Sequence, residues 1–191
     1  MRIAIVSTQN NGKTTLVDAF KAYWPMYKSP EKTYRDIIKE KNLKINTEGD
    51  VESQRVIRDS LCDQAINCAI EKNSIQDRCV LDNLVYTLYL YEKEKIKDAD
   101  FVAQTFHITR ETLKMYDIIF WLPLNPNIKL DVNDGKEDRS KDPLFREEID
   151  AVFASVFENY QKSLGLVFPL EDSPCMIRLE GDLNEKIDGI K

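Results

Sequence analysis

The sequence predicts an α/β domain in which short strands alternate with helices around a parallel sheet. Two apolar runs, 2–6 and 117–122, are rich in β-branched and aromatic residues and indicate buried strands. Apolar residues recur at helical spacing over 51–72 and again after 142, which indicates long helices with one buried face. Strands that alternate with helices in this way are typical of parallel sheets.

The remaining segments complete the alternation. We predict further helices over 13–22, 32–41, 83–95 and 99–116, a short helix at the C-terminal end, a weak strand over 25–29, further strands over 74–78 and 175–179, and loops over 42–50 and 123–142. Asp142 and Pro143 provide a capping carboxylate and an N1 proline for the long helix that follows. No internal repeat or linker divides the 191 residues, so one domain is expected.

Composition narrows the function classes. The net charge of -6 disfavours a protein that grips long stretches of nucleic acid. Four cysteines without a CxxC pair and a single histidine disfavour a zinc site and a disulfide framework. The sequence contains no apolar run of membrane-spanning length and no signal-peptide pattern, so we expect a cytoplasmic protein without a membrane partner.

A phosphate-binding loop follows the first predicted strand. Residues 7–15 read STQNNGKTT, which matches GxxxxGK(S/T) except that Ser7 replaces the first glycine. The backbone N–H groups of such a loop and the following helix N-terminus bind phosphate oxygens. We expect Lys13 to bridge the terminal phosphates of ATP and Thr14 to bind Mg²⁺. The predicted MgATP-binding residues are Asn10, Asn11, Gly12, Lys13, Thr14 and Thr15.

Two polar clusters follow the next two predicted strands. Because ligands gather at the carboxyl ends of parallel strands, Glu31 is a candidate base for an acceptor hydroxyl and Arg35 a candidate acceptor contact. The alternative for Glu31 is an ordinary helix-start acid. Asp77 is a candidate magnesium ligand, and Arg78 a candidate phosphate contact. A structural ion pair at the strand end is the alternative, and Asp82 either binds the acceptor or caps the next helix.

A charged loop and a polar helix face supply the remaining candidates. A loop that carries Lys136, Arg139 and Arg146 offers positive charge for a transferring phosphoryl group and, on closing, excludes water, although most charged loops are only solvated. Gln54 lies on the polar face of the helix predicted over 51–72 and is a candidate contact for an acceptor base, although any surface helix carries such residues.

The order of these motifs resembles the small P-loop kinases of the nucleoside, thymidylate and ribosylnicotinamide kinase type. The resemblance rests on the P-loop, PEKTYR, QDRCVLD, DGKEDRS and IRLEGD, and it covers nearly the whole chain. It is strongest to phage-encoded AAA-like kinases, a group that includes kinases acting on 5-hydroxymethyluracil in phage DNA.

The resemblance implies one P-loop domain over 1–191 with a three-layer α/β/α fold, about five parallel strands in the order 2-3-1-4-5, and a lid over about 125–146. It implies that Glu31 is the catalytic base and that Asp77 and Arg78 serve magnesium and phosphate. Arg139 would be the principal cation of the lid, and Asp182 would lie in the turn near the adenine. Whether Glu31 or Asp77 is the base stays open.

Four functions fit these observations. ATP-dependent phosphorylation of a soluble nucleoside- or nucleotide-like acceptor is favoured, because a regulatory ATPase needs no acceptor-side clusters. The alternatives are a kinase for a 5-hydroxymethyl pyrimidine in phage DNA, a ribosylnicotinamide-type kinase and a regulatory P-loop ATPase. The sequence leaves the oligomeric state open, with a homodimer among the options.

Overall fold

The structure is a computed structural model that describes residues 1–125 and 142–191. The strands and helices, in chain order, are β1 (Arg2–Val6), α1 (Lys13–Tyr23), α2 (Tyr34–Lys41), α3 (Val51–Ile70), β2 (Ser74–Asp77), α4 (Val80–Glu92), α5 (Ala99–Leu113), β3 (Ile118–Trp121), α6 (Pro143–Gln161), β4 (Cys175–Arg178) and α7 (Leu183–Ile190). One turn of 3-10 helix, Asn46–Glu48, lies in the loop before α3. None of the described helices is both long and apolar enough to cross a membrane.

The sheet is parallel and has the order β2-β1-β3-β4. The fold class is confirmed, but the described residues form four strands rather than five. The predicted strand 25–29 contributes one bridge, between Lys28 and Ser74 at the outer edge of β2. Pro25 and Pro30 flank this segment and lack the N–H that a longer ladder would need. The bridge keeps the order that the resemblance implied, with the second of the five strands, at the edge of the sheet, reduced to a single residue.

Helices cover both faces of the sheet because alternate strand residues point to opposite sides. Val6, Ile119 and Trp121 face one layer, which contains α3, α4, α5 and α6. Ile5 and Phe120 face the other layer, which contains α1 and α7. The three-layer arrangement leaves the carboxyl ends of β1, β2 and β3 together at one edge of the sheet, where polar loops follow.

Side-chain caps define the starts of α2 and α6. Thr33 caps α2 through a reciprocal capping box with Asp36, so α2 begins after the residues predicted to start it. Asp142 caps α6 and Pro143 occupies N1, as predicted. Residues 143–146 of the predicted lid therefore form the first turn of α6, and residues 126–141 lie outside the described part of the chain.

Candidate active site

The phosphate-binding loop follows β1 and turns sharply into α1. Asn10 and Gly12 adopt left-handed backbone conformations with φ of 54° and 79°. Left-handed residues at alternate positions curve the backbone so that N–H groups converge on one side. Ser7 is fully buried and is not among the described residues with positive φ, so replacing the glycine of the motif costs no backbone strain here.

The N-terminus of α1 is open toward this concave side. Gly12 is the N-cap, and no side chain caps the first turn. A Cβ built on Gly12 would meet no heavy atom within 4 Å. The first-turn N–H groups and the positive end of the helix dipole thus face a space in which an anion fits.

Lys13 is buried inside the loop. Its Nζ donates hydrogen bonds to the carbonyl oxygens of Ser7 at 2.9 Å and Thr8 at 2.7 Å. Burial, followed by the positive charges of Arg78 and Arg35, lowers the pKa of Lys13 to about 7 against the attraction of Asp82 and Asp77. The charged side chains at the end of β2 and the start of α4 thus act on the charge of the P-loop lysine.

Thr14 and Asp77, the two predicted magnesium ligands, are in contact. The Thr14 hydroxyl donates to Asp77 Oδ2 at 2.6 Å, which joins the first turn of α1 to the end of β2. Asp77 Oδ1 is buried and has no hydrogen-bond partner among the described residues. A hydroxyl and a carboxylate with an unused oxygen form a donor set that suits Mg²⁺.

Arg78 lies between two aromatic rings immediately after β2. Its guanidinium carbon is 4.7 Å from the ring centroid of Tyr34 and 5.7 Å from that of Tyr86. Arg78 Nη1 also donates to Asp82 Oδ1 at 3.2 Å. The backbone of Arg78 is left-handed, with φ of 82°, so strain accompanies this placement.

Asp82 has the capping role that was considered for it in the sequence. Its Oδ2 accepts the Cys79 N–H at 3.0 Å, so it caps α4, which starts earlier than predicted. Burial raises the pKa of Asp82, against the opposing charges of Arg78 and Lys13. The buried carboxylate balances two cations of the cluster, and its contact with an acceptor stays a prediction.

The segment before α2 carries Glu31 at the surface. Glu31 is exposed and precedes the N-cap Thr33, so it is not the first-turn acid of α2; Asp36 is. Gln64 Nε2 donates to the Lys32 carbonyl at 3.0 Å and ties this segment to α3. The assignments of Glu31 as base and of Arg35 as an acceptor contact stay predictions.

Asn11 links the P-loop to the end of β3. Its Nδ2 donates to the carbonyls of Leu122 at 2.9 Å and Pro123 at 2.8 Å, and its Oδ1 accepts from Asn125 N at 3.3 Å. These bonds occupy the side-chain amide, so the backbone N–H of Asn11 is the group left to serve a phosphate. The strand–loop–helix pattern predicts the loop itself but not this contact across more than 100 residues.

Arg146 contacts the P-loop from α6. The guanidinium donates to the carbonyls of Gln9 and Asn10, each at 3.2 Å. Of the three predicted lid cations it is the one within the described chain, since Lys136 and Arg139 lie outside it.

The sequence analysis did not single out Tyr86, whose ring contacts Arg78. Its i,i+4 spacing from Asp82 on a helix was the available signal that the two side chains lie on one face.

Two predicted ligand residues make internal contacts. Gln54 is buried, and its Oε1 accepts from Asn83 Nδ2 at 2.8 Å, so placing it on the solvated face of its helix was wrong. The apolar spacing did not reveal that α3 is also covered by α4. Asp182 caps α7, accepting the N–H groups of Asn184 at 2.8 Å and Glu185 at 3.0 Å. The predicted contacts of Gln54 with an acceptor and of Asp182 with the adenine stay predictions.

A strand order of this kind, with a phosphate-binding loop after the central β1, defines the P-loop kinase fold, and solved structures share it. The structure of deoxyadenosine kinase from M. mycoides with dCMP and dCDP matches with a TM-score of 0.66 and 17% identity over 100% of this chain and 96% of that chain. The same enzyme with bound dATP matches with a TM-score of 0.65 and 16% identity over the same shares.

A second protein with this fold is the NadR protein in complex with NR. It matches with a TM-score of 0.61 and 15% identity over 94% of this chain, which corresponds to 43% of NadR. Identities at this level establish a common fold and no more. No protein-family model and no curated protein matches the chain by sequence.

Proposed function

We propose that the protein transfers the γ-phosphate of MgATP to a hydroxyl or phosphate of a nucleoside-like acceptor. The observation that carries this proposal is the contact between Thr14 and Asp77 at 2.6 Å, which joins the P-loop helix to a strand end where Arg78 and Asp82 form an ion pair. A loop that only binds a nucleotide needs no such second set of charged side chains. Phosphoryl transfer needs charged groups on both the ATP side and the acceptor side of the transferred phosphoryl group.

The residues present fit both MgATP components. The loop N–H groups and the uncapped α1 N-terminus suit the ATP phosphates, and Lys13 is the cation nearest to them. Thr14 and Asp77 would hold Mg²⁺. An ion held there would neutralise negative charge on the transferring phosphoryl group.

The remaining roles, which are charge stabilisation, acceptor orientation and proton acceptance, belong to side chains of this chain. Lys13 exchanges its two backbone carbonyl partners for phosphate oxygens and so brings its charge to the transferring group. Arg78, held between two tyrosines, and Arg35 orient the acceptor. Glu31 or Asp77 accepts the acceptor proton, and Arg139 adds positive charge over the γ-phosphate.

Acceptor identity is proposed from the neighbours of the fold. Deoxyadenosine kinase is described with deoxynucleotides and NadR with NR, so a nucleoside or ribosylnicotinamide acceptor is the first expectation. The net charge of -6 argues against DNA carrying a modified base as the acceptor. The regulatory ATPase is the remaining candidate.

An acceptor screen tests the proposal. The protein is incubated with Mg²⁺ and γ-labelled ATP and with nucleosides, nucleoside monophosphates, nicotinamide riboside, or DNA with and without hydroxymethylated pyrimidines. A Lys13→Ala sample controls for contaminating kinases. Label transferred to one acceptor class by wild type alone supports the proposal. Robust ATP hydrolysis with no labelled acceptor would instead favour the regulatory ATPase.

A further inference from the structure

Arg146 is a buried cation that makes both of its described hydrogen bonds to main-chain carbonyls rather than to a carboxylate. It is 5% exposed. Its Nε donates to Gln9 O and its Nη2 to Asn10 O, two successive carbonyls of the phosphate-binding loop. A guanidinium fits this task because its rigid planar fork serves two acceptors at once, whereas an ammonium is a point charge on a flexible stem.

Holding a carbonyl also fixes the N–H that follows it. In a trans peptide the C=O of one residue and the N–H of the next point in opposite directions, and the chain contains no cis peptide among its described residues. Arg146 therefore directs the N–H groups of Asn10 and Asn11 away from α6. Lys13, which holds Ser7 O and Thr8 O, orients the two preceding peptides in the same way.

The helix that carries Arg146 is held in a fixed position. Asp142 and Pro143 set the start of α6, which places Arg146 one turn into the helix. Asp150, one turn further on, accepts the N–H of Leu124 at 3.0 Å and holds α6 against the end of β3. The guanidinium is thus presented to the loop by a helix anchored on the sheet.

We propose that Arg146 is a positioning residue that presets the backbone N–H groups of Asn10 and Asn11 for the phosphates of a bound nucleotide. This inference rests on the proposed function and differs from a role as a lid cation over the γ-phosphate. A positioning residue acts on every nucleotide that uses the loop. A cation on the γ-phosphate acts on ATP and not on ADP.

Calorimetric titration with MgADP and MgATP separates the two roles. In Arg146→Lys the affinities for ADP and ATP should fall by the same factor, about 10-fold, because one of two charge-assisted hydrogen bonds is lost. The KM for ATP should rise, while kcat at saturating ATP changes little. Arg58→Lys is the matched control, since Arg58 is also buried and bonds Asp59 and Thr105, and it should leave both affinities unchanged.

NMR amide chemical shifts of the ligand-free protein supply a measurement independent of nucleotide. The amide signals of Asn10 and Asn11 should shift in Arg146→Lys and keep their wild-type positions in Arg58→Lys, with thermal denaturation confirming that both variants are folded. Loss of ATP affinity with unchanged ADP affinity would overturn the inference in favour of a γ-phosphate contact, and unchanged binding of both would also overturn it. If wild type binds neither nucleotide, the proposed function fails and this inference fails with it.

Discussion

Replacement of Asp77 by asparagine tests the proposed magnesium ligand while it leaves the stability of the fold nearly unchanged. In the structure Asp77 Oδ2 accepts the Thr14 hydroxyl at 2.6 Å, and Oδ1 is buried without a partner among the described residues. Asparagine keeps the shape and one carbonyl oxygen that still accepts from Thr14. Removal of a buried charge offsets the weaker hydrogen bond, so the free energy of unfolding should change by no more than about 1 kcal/mol.

Catalysis should respond much more strongly. Loss of one preorganised electrostatic group typically costs about 100- to 1,000-fold in kcat, which corresponds to about 2.7–4 kcal/mol of barrier. The assay is turnover with the acceptor identified by the screen, measured over a Mg²⁺ titration, with thermal denaturation of the same samples. The midpoint of the Mg²⁺ titration should move to higher concentration, since a neutral amide is the weaker ligand.

Thr14 supplies the matched variants. Thr14→Ser retains the hydroxyl and should retain most of the turnover, whereas Thr14→Val should resemble Asp77→Asn. Combining Thr14→Val with Asp77→Asn should cost less than the sum of the two single effects, because the two side chains act as one unit. A folded Asp77→Asn variant with wild-type turnover and an unshifted Mg²⁺ titration would refute the assignment of this pair to the metal.

Three further expectations concern other parts of the site. Glu31→Gln should lower transfer to the acceptor by about 100- to 10,000-fold with unchanged ATP affinity, and normal transfer would show that Glu31 is not the base. Since bound phosphates should raise the pKa of Lys13 from about 7, nucleotide binding should take up a proton, and ADP affinity should fall as pH rises above 7. Titrations from about pH 7 to pH 9 measure this slope, and a flat profile would contradict it. Asp182→Ala should destabilise the fold by about 1 kcal/mol through loss of the α7 cap, and a larger effect on ATP affinity than on stability would restore its role near the adenine.

Local sequence determined the parts of this protein that depend on neighbouring residues. The β-branched run of β1, the GKTT that follows and the helical spacing of α1 specify a strand–loop–helix unit within about 20 residues. Asp142 and Pro143 likewise specify the start of α6 through bonds made inside one turn. Short-range patterns fix such elements because the interactions that define them lie within the same segment.

The predicted fifth strand shows where local pattern fails. The segment 25–29 has one residue that favours strands, Tyr27, and a strand exists only where a neighbour supplies partners. Here β2 supplies them to Lys28 alone. The position of Gln54 fails for the same reason. Its burial depends on α4, whose Asn83 and Thr87 bond its side chain, and no spacing within α3 reveals that neighbour.

The sequence by itself determined the candidate residues for binding phosphate and magnesium, and the tertiary structure decided which of them meet. Thr14 and Asp77 are 63 residues apart and join because β1 and β2 are adjacent parallel strands with their carboxyl ends at one edge. Arg146 and the Gln9 carbonyl are 137 residues apart and meet because α6 packs beside β3. Contacts of this range depend on the burial of whole helices and strands against each other, which no local pattern encodes.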